Sequence, residues 1–344
     1  MRWDDVFIAG TGASLPAGVT AASAVAAGRY DAEVAARSRQ LAVTVAGDGA
    51  GTAPEFAVGA ARRALAGSGH EPGDVGILLH AVVLHDGIDA WNPATYIQRE
   101  LGITQCVPAQ LRMVCNGSLV GVTLACAFLR ALPAQPAALI TASDCWPDPV
   151  IDRWDAPGFV FGDGGGAVVL SREGGFARLL ATATHTDPEV EGLTRGAEPF
   201  GPFRTSADNP IDLRRRAKEF LGTAMPDEEL WKRWDDGMRA VADEVTADTG
   251  IRPDDVEHII TPFLDPSNVD RQYLTPLGLD PARTTWEHGR HIGHLGAADY
   301  FVALDRLAGS GQLAPRDRVL VLGAAGGTWC AVLLEIVAPP PARP

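Results

Sequence analysis

Short unbroken apolar runs alternate along the chain with longer Ala-rich stretches free of Gly and Pro. Val6–Gly10, Val75–Val83, Ala137–Ala142, Val256–Pro262 and Arg318–Gly323 read as buried strands. Ala53–Ala66, Asn92–Gly102, Val122–Leu132, Leu213–Thr223, Pro226–Thr249 and Leu295–Gly309 read as helices. Phe159–Leu170 is expected to run strand, glycine turn, strand. Gly326-Gly327 is a second glycine turn, before a last strand over Trp329–Val337. Ala21–Ala46 reads as helix and loop near the surface. Ser171–Pro210 is glycine-rich and polar, and holds the joint between two halves. Strands alternating with helices predict an α/β protein with a mostly parallel sheet in each half.

The two halves echo one another. Glu71-Pro72-Gly73-Asp74-Val75 and Arg252-Pro253-Asp254-Asp255-Val256 place their prolines 181 positions apart, and the elements that follow come in the same order. The halves are expected to be residues 1–175 and 176–344, related by a pseudo-twofold axis. Shifted by the same interval, Cys115 falls on Gly296, inside His294-Leu295-Gly296-Ala297-Ala298-Asp299. Both stretches are strand-to-helix turns, where α/β proteins place their sites.

Composition narrows the classes of function. A formal net charge of -14 argues against nucleic acid or an anionic membrane as the main partner. The five cysteines form no CxxC and no metal-ligand spacing. An odd count with no signal sequence fits a reducing cytoplasm. No metal is expected, and no apolar run approaches the ~20 residues of a membrane span.

Cys115 lies at the start of an expected helix, where free N–H groups and the helix dipole favour a thiolate. The alternative is a small buried hydrophobe. His294 faces that turn across the pseudo-twofold axis. Asp299 falls in the first turn of the next helix and can reach back to it. A thiol, a histidine and a carboxylate that fixes the histidine tautomer form a nucleophilic constellation. For Asp299 the plain alternative is a helix N-terminal acid. His288 and His291 read as polar loop residues or supports. The N–H of Cys115 and the Gly326 turn are the candidate oxyanion donors.

Cys115-Asn116-Gly117 with its helix, Phe161-Gly162-Asp163-Gly164-Gly165-Gly166-Ala167 and Gly326-Gly327-Thr328-Trp329 resemble the thiolase superfamily, and within it the ketoacyl synthase III-like enzymes. The resemblance runs almost end to end. It implies a thiolase fold of five αβαβα layers, a homodimer, and an acyl-CoA co-substrate whose acyl group passes to Cys115. It also implies that Arg153, Arg214 and Arg215 meet the CoA phosphates, although a solvated helix face accounts for the arginine run equally well. Arg112 or Arg290 is the candidate for an acyl carboxylate, and Phe263 is expected to contact the substrate.

The departures from the family pattern point to a particular branch. Phe263 stands where condensing members carry a histidine, His294 where they carry an asparagine, and Asp299 where they carry a serine. A phenylalanine cannot stabilise the enolate of a decarboxylating malonyl group, whereas one histidine backed by an aspartate can act as general base. This is similar to the ketosynthase-like acyltransferases of polyketide biosynthesis. It implies transfer of an acyl group, malonyl from malonyl-CoA foremost, through Cys115 to a sugar hydroxyl of a polyketide glycoside. Ala181–Thr223 and Asp265–Tyr273 are expected to shape the acceptor pocket. Competing readings are a starter-unit 3-oxoacyl synthase and a non-catalytic acyl-CoA-binding protein.

Overall fold

The computed structural model describes residues 1–47, 49–85, 88–132, 134–201 and 209–341. Among them the strands are β1 (Phe7–Ser14), β2 (Gly18–Thr20), β3 (Ala42–Thr44), β4 (Val75–Ala81), β5 (Val107–Leu111), β6 (Ala137–Asp144), β7 (Gly164–Ser171), β8 (Ala177–Thr186), β9 (His258–Ile260), β10 (Arg318–Ala325) and β11 (Thr328–Ile336). Nine of these form one mixed sheet in the order β5-β4-β6-β7-β1-β8-β11-β10-β9. Read outward from the central β1–β8 pair, the order on one side mirrors the order on the other. The antiparallel contact of β1 with β8 is confined to Phe7–Arg178 and Ile8–Ala177.

Several elements repeat at the 181-residue interval. β6 and β10 do so, as do the single turns Pro72–Asp74 and Pro253–Asp255. The helices Ala53–Ser68 and Asp227–Thr249 also end in step, at Gly69 and Gly250, both with φ of 74°.

Alternation along the strands sorts side chains into layers. Val319 and Val321 of β10 face a central core shared with the helices Gly117–Ala131 and Asp299–Ala308. Leu320 and Leu322 face the opposite way, against Asp227–Thr249. On the far side, Leu78 of β4 and Leu139 of β6 pack on Ala53–Ser68. Helices therefore cover the outer faces and fill the space between the two half-sheets, the five-layer arrangement expected from the resemblance. The stretch Val114–Ala131 is apolar and long enough to cross a membrane by composition. Its apolarity has another cause here, because Leu119, Val122, Ala125, Cys126 and Leu129 lie in the central core.

Three sequence expectations need correction. The sheet is not mostly parallel: β4–β5, β4–β6 and β9–β10 pair in parallel, but β1–β7, β1–β8, β6–β7, β8–β11 and β10–β11 are antiparallel. Gly164, Gly165 and Gly166 do not form a turn; they open strand β7. A Cβ at Gly165 would come within 2.9 Å of the Phe56 carbonyl carbon, and one at Gly166 within 2.9 Å of Phe301 Cβ. Glycine is required there by helices pressed against both faces of the strand. Ala177–Thr186 is a ten-residue strand rather than part of a loop-rich joint. Its alanines and Leu179 are buried, while its outer end carries the polar Thr184–His185–Thr186 that hid the pattern.

Candidate active site

β5 ends at Leu111, and the chain turns sharply before the helix Gly117–Ala131 begins after Asn116. Asn116 N–H donates to the Met113 carbonyl at 3.1 Å. Val114 takes φ of 49°, a left-handed conformation that β-branched residues rarely adopt. The turn sets Cys115, partly buried, at the mouth of the helix.

On the other side, His294 is held by its backbone. His294 N–H donates to the Val160 carbonyl at 2.7 Å, and Gly162 N–H to the His294 carbonyl at 3.0 Å. This bridge needs a side-chain-free residue, since a Cβ at Gly162 would sit 2.1 Å from the Ile292 carbonyl oxygen. The Ser118 hydroxyl donates to the Ala297 carbonyl at 2.6 Å, tying the two turns together.

The result is a linear array. Cys115 Sγ lies 3.1 Å from His294 Nε2, and His294 Nδ1 lies 2.5 Å from Asp299 Oδ2. Asp299 is fully buried and also accepts from Leu295 N–H at 2.6 Å and Phe263 N–H at 2.8 Å. Phe159 packs edge-on to the imidazole, with centroids 4.8 Å apart. Burial of the imidazole opposes its charged form, but the Asp299 carboxylate and Cys115 outweigh that penalty and hold the His294 pKa well above its ordinary value. His294 thus stands between sulfur and carboxylate with its charged form favoured.

The hairpin Ala325-Gly326-Gly327-Thr328 closes the site. Gly326 and Gly327 have φ of 56° and 75°, the conformation of a two-residue turn of the I′ type. A Cβ on Gly326 would stand 3.3 Å from Val114 Cγ2, so this turn abuts the Cys115 elbow.

Cys115, His294 and Gly326 share a cavity of about 950 Å³. Its walls carry Trp146, Phe159, Phe161, Trp231, Trp234 and Tyr273. Of these, sequence reasoning placed only Tyr273 in a stretch expected to shape the pocket. The one further signal was Trp231 and Trp234, spaced i, i+3 on one helix face. Within Ala181–Thr223, Leu193, Thr194, Ile211, Leu213, Ala217 and Leu221 reach the cavity, as do Gln272 and Tyr273 of Asp265–Tyr273. Residues 202–208 lie outside the described residues.

The remaining candidates separate. Phe263 is buried and is not among the residues lining the cavity; it offers Asp299 its N–H, and its ring packs by Gly289. Its assignment as a substrate contact is therefore corrected. Arg153 is likewise no free phosphate ligand. It is 5% exposed, and its guanidinium bonds Asp163 at 3.1 and 3.2 Å and the Trp146 carbonyl at 2.7 Å. Asp163 also accepts from Trp146 N–H and Ala46 N–H, both at 2.8 Å, so the pair is a buried strut. Arg214 pairs with Asp155 and Arg215 with Glu198 and Glu219; of the run, Arg216 reaches the cavity. Arg290 pairs with Glu287 at 3.1 Å over the Trp286 ring, away from the cavity lining. Arg112 lines the cavity.

Comparison with known proteins gives a consistent picture. The model of 3-oxoacyl-[acyl-carrier-protein (ACP)] synthase III matches residues 110–188, and the model of its C-terminal part matches residues 246–336. A beta-ketoacyl-[acyl-carrier-protein] synthase III of Rhizorhabdus wittichii is 31% identical over 299 residues, spanning 85% of this chain and 86% of that one. The corresponding protein of Rhodospirillum rubrum is 28% identical over 97% of this chain and 100% of its own. Among solved structures, the acyltransferase ChlB3 superposes with a TM-score of 0.92 at 37% identity, covering 98% of this chain and 99% of that one. The 3-oxoacyl-[acyl-carrier-protein] synthase III of Aquifex aeolicus shares the fold, with a TM-score of 0.75 at 20% identity over 96% of this chain and 99% of that one.

Proposed function

Because the chain belongs to the 3-oxoacyl-[acyl-carrier-protein] synthase III family, we propose that it moves an acyl group from CoA to Cys115 and then to a hydroxyl, without decarboxylation. The family and the likeness to ChlB3 identify an enzyme that transfers acyl groups. One observation carries the choice of acceptor chemistry. The polar side chain placed beside Cys115 Sγ is His294, backed by Asp299, while Phe263 contributes its backbone N–H to that aspartate.

The array supports two half-reactions. In the first, the Cys115 proton passes to His294 Nε2 and Sγ attacks the thioester carbonyl. The C–S bond to CoA breaks, and the CoA thiolate takes the proton from Nε2. The oxyanion of the tetrahedral intermediate is met by the N–H groups of Cys115 and of the Gly326 turn. Acylation removes one of the two influences that raise the His294 pKa, the one from Cys115. The imidazole then gives up its proton more readily, so more of it stands in the neutral form that can accept one. In the second half-reaction Nε2 accepts the proton of an incoming hydroxyl whose oxygen attacks the acyl-cysteine, and Sγ leaves. Asp299 keeps the Nδ1 proton in place throughout, fixing the tautomer that presents Nε2 to the reaction.

Malonyl is the donor group we favour, from malonyl-CoA. The acceptor we favour is a sugar hydroxyl on a polyketide glycoside, and a large aromatic-walled cavity supports an acceptor with an apolar body. A homodimer is the expected assembly of this family.

Product analysis tests the proposal. The enzyme, malonyl-CoA and a glycosylated aromatic polyketide are expected to give an ester that retains the malonyl carboxylate. Release of carbon dioxide with a new carbon–carbon bond would replace this reading with that of a starter-unit synthase. Binding of acyl-CoA without turnover would leave a non-catalytic binding protein.

A further inference from the structure

We infer that Arg112 is the subsite for a terminal carboxylate on the acyl group, so that the enzyme selects dicarboxylic acyl donors. The inference rests on the acyl-transfer reading and adds to it the residue that reads the donor.

Among the described residues, three arginines line the cavity: Arg112, Arg153 and Arg216. Arg153 is spent on Asp163, and Arg216 stands 3.7 Å from Glu198. Arg112 has no carboxylate partner among the described residues. Its guanidinium makes one hydrogen bond, Nη2 to the Val83 carbonyl at 3.3 Å, and the side chain is otherwise exposed. The acid on the same wall, Asp144, is turned to the backbone, accepting from Val83 N–H and Leu84 N–H at 2.9 Å. A guanidinium has five donors in a planar fork that suits a carboxylate. Holding such a cation in the cavity of Cys115 with no carboxylate partner among the described residues, in a chain of net charge -14, suits it to pair with a ligand.

Position agrees. Arg112 precedes Cys115 by three residues, and the turn between Met113 and Asn116 folds the chain back on itself. Three Cα steps bound the separation of the two Cα atoms to about 11 Å, less in a turn. A short dicarboxylic acyl chain on Sγ and an arginine side chain can close that gap together.

The test compares acylation of Cys115 by malonyl-CoA and by propionyl-CoA, which carries the same CoA phosphates and an acyl chain of similar length without the carboxylate. Wild-type protein should be acylated faster by malonyl-CoA by about tenfold or more, the scale of one charge-assisted hydrogen bond. Arg112→Met should lose that preference while keeping its rate with propionyl-CoA, which also shows that the variant is folded. Arg112→Lys should recover part of it. An unchanged malonyl rate in Arg112→Met would overturn the inference. Equal losses with both donors would overturn it too, because Arg112 would then be meeting the CoA phosphates. Failure of every acyl-CoA to label Cys115 in wild type would remove the acyl-transfer reading itself, and this inference with it.

Discussion

Asn116 Nδ2 donates to the Thr328 carbonyl at 2.7 Å, so a buried amide ties the residue after Cys115 to the first residue of β11. Its Oδ1 accepts from the Tyr300 hydroxyl at 3.3 Å. This strap fixes the Gly326 turn against the Cys115 elbow, the two places from which N–H groups meet the oxyanion in the proposed mechanism. Asn116→Ala strands the Thr328 carbonyl and the Tyr300 hydroxyl, and should cost about 1–3 kcal/mol of stability for each group left unpaired. It should also slow acylation and deacylation together. Tyr300→Phe, which keeps the bond to Thr328, should be milder on both counts. Urea melts and single-turnover acylation measure the two effects. An Asn116→Ala variant that melts early yet acylates at the wild-type rate would show that the strap serves stability alone.

His294 makes stability depend on pH. Its folded-state pKa is raised: burial opposes the charge, and Asp299 with Cys115 prevails. A raised pKa stabilises the fold fully below the unfolded value of about 6.5, and that contribution fades as pH climbs through the folded value. Asp299→Asn removes an upward influence, so in that variant the fade starts from the same unfolded value but should be complete at lower pH. Urea midpoints measured from about pH 6 upward should show wild type still losing stability where Asp299→Asn has levelled off. Superimposable pH profiles would contradict this.

Arg153 and Asp163 are both buried, and each satisfies the other. Arg153→Met leaves an uncompensated carboxylate and should cost about 3–5 kcal/mol, while the double variant Arg153→Met/Asp163→Leu should recover much of the loss. The check is a thermal melt of both proteins. A double variant no better than the single would assign the cost to the lost bonds with the Trp146 and Phe161 carbonyls instead.

Much of the site could be read from the chain. Cys115 stood out because an Ala- and Leu-rich helix follows it, and the 181-residue interval pointed from there to His294 and Asp299. The arrangement of those three depends on local turns whose chemistry is short-range, so spacing alone carried it. Arg153 was misread because nothing local marks an arginine as buried; its partner Asp163 and the carbonyls it bonds come from tertiary packing. The glycines of β7 look like a turn in sequence because the helices that exclude side chains there are far along the chain. β8 was missed because its outer half is threonine and histidine. Asn116 was visible as part of a motif, but its bond to Thr328 spans 212 residues and leaves no local pattern.

General acid–base catalysis by one residue contributes roughly 10²–10⁴-fold, so His294→Ala should slow turnover by that range. Cys115→Ala should abolish acyl transfer altogether. Asp299→Asn should fall between wild type and His294→Ala, since the base remains but its tautomer is no longer fixed. Steady-state ester formation at fixed pH ranks the three variants. Turnover by Asp299→Asn at the wild-type rate would limit Asp299 to a structural role.

The most direct measurement is the intact mass of the protein after exposure to malonyl-CoA, for wild type, Cys115→Ala and His294→Ala. The account predicts a gain of the full malonyl mass on wild type, none on Cys115→Ala, a much slower gain on His294→Ala, and loss of the adduct when a hydroxyl acceptor is added. A gain of the acetyl mass with release of carbon dioxide, or an adduct that survives in Cys115→Ala, would contradict it.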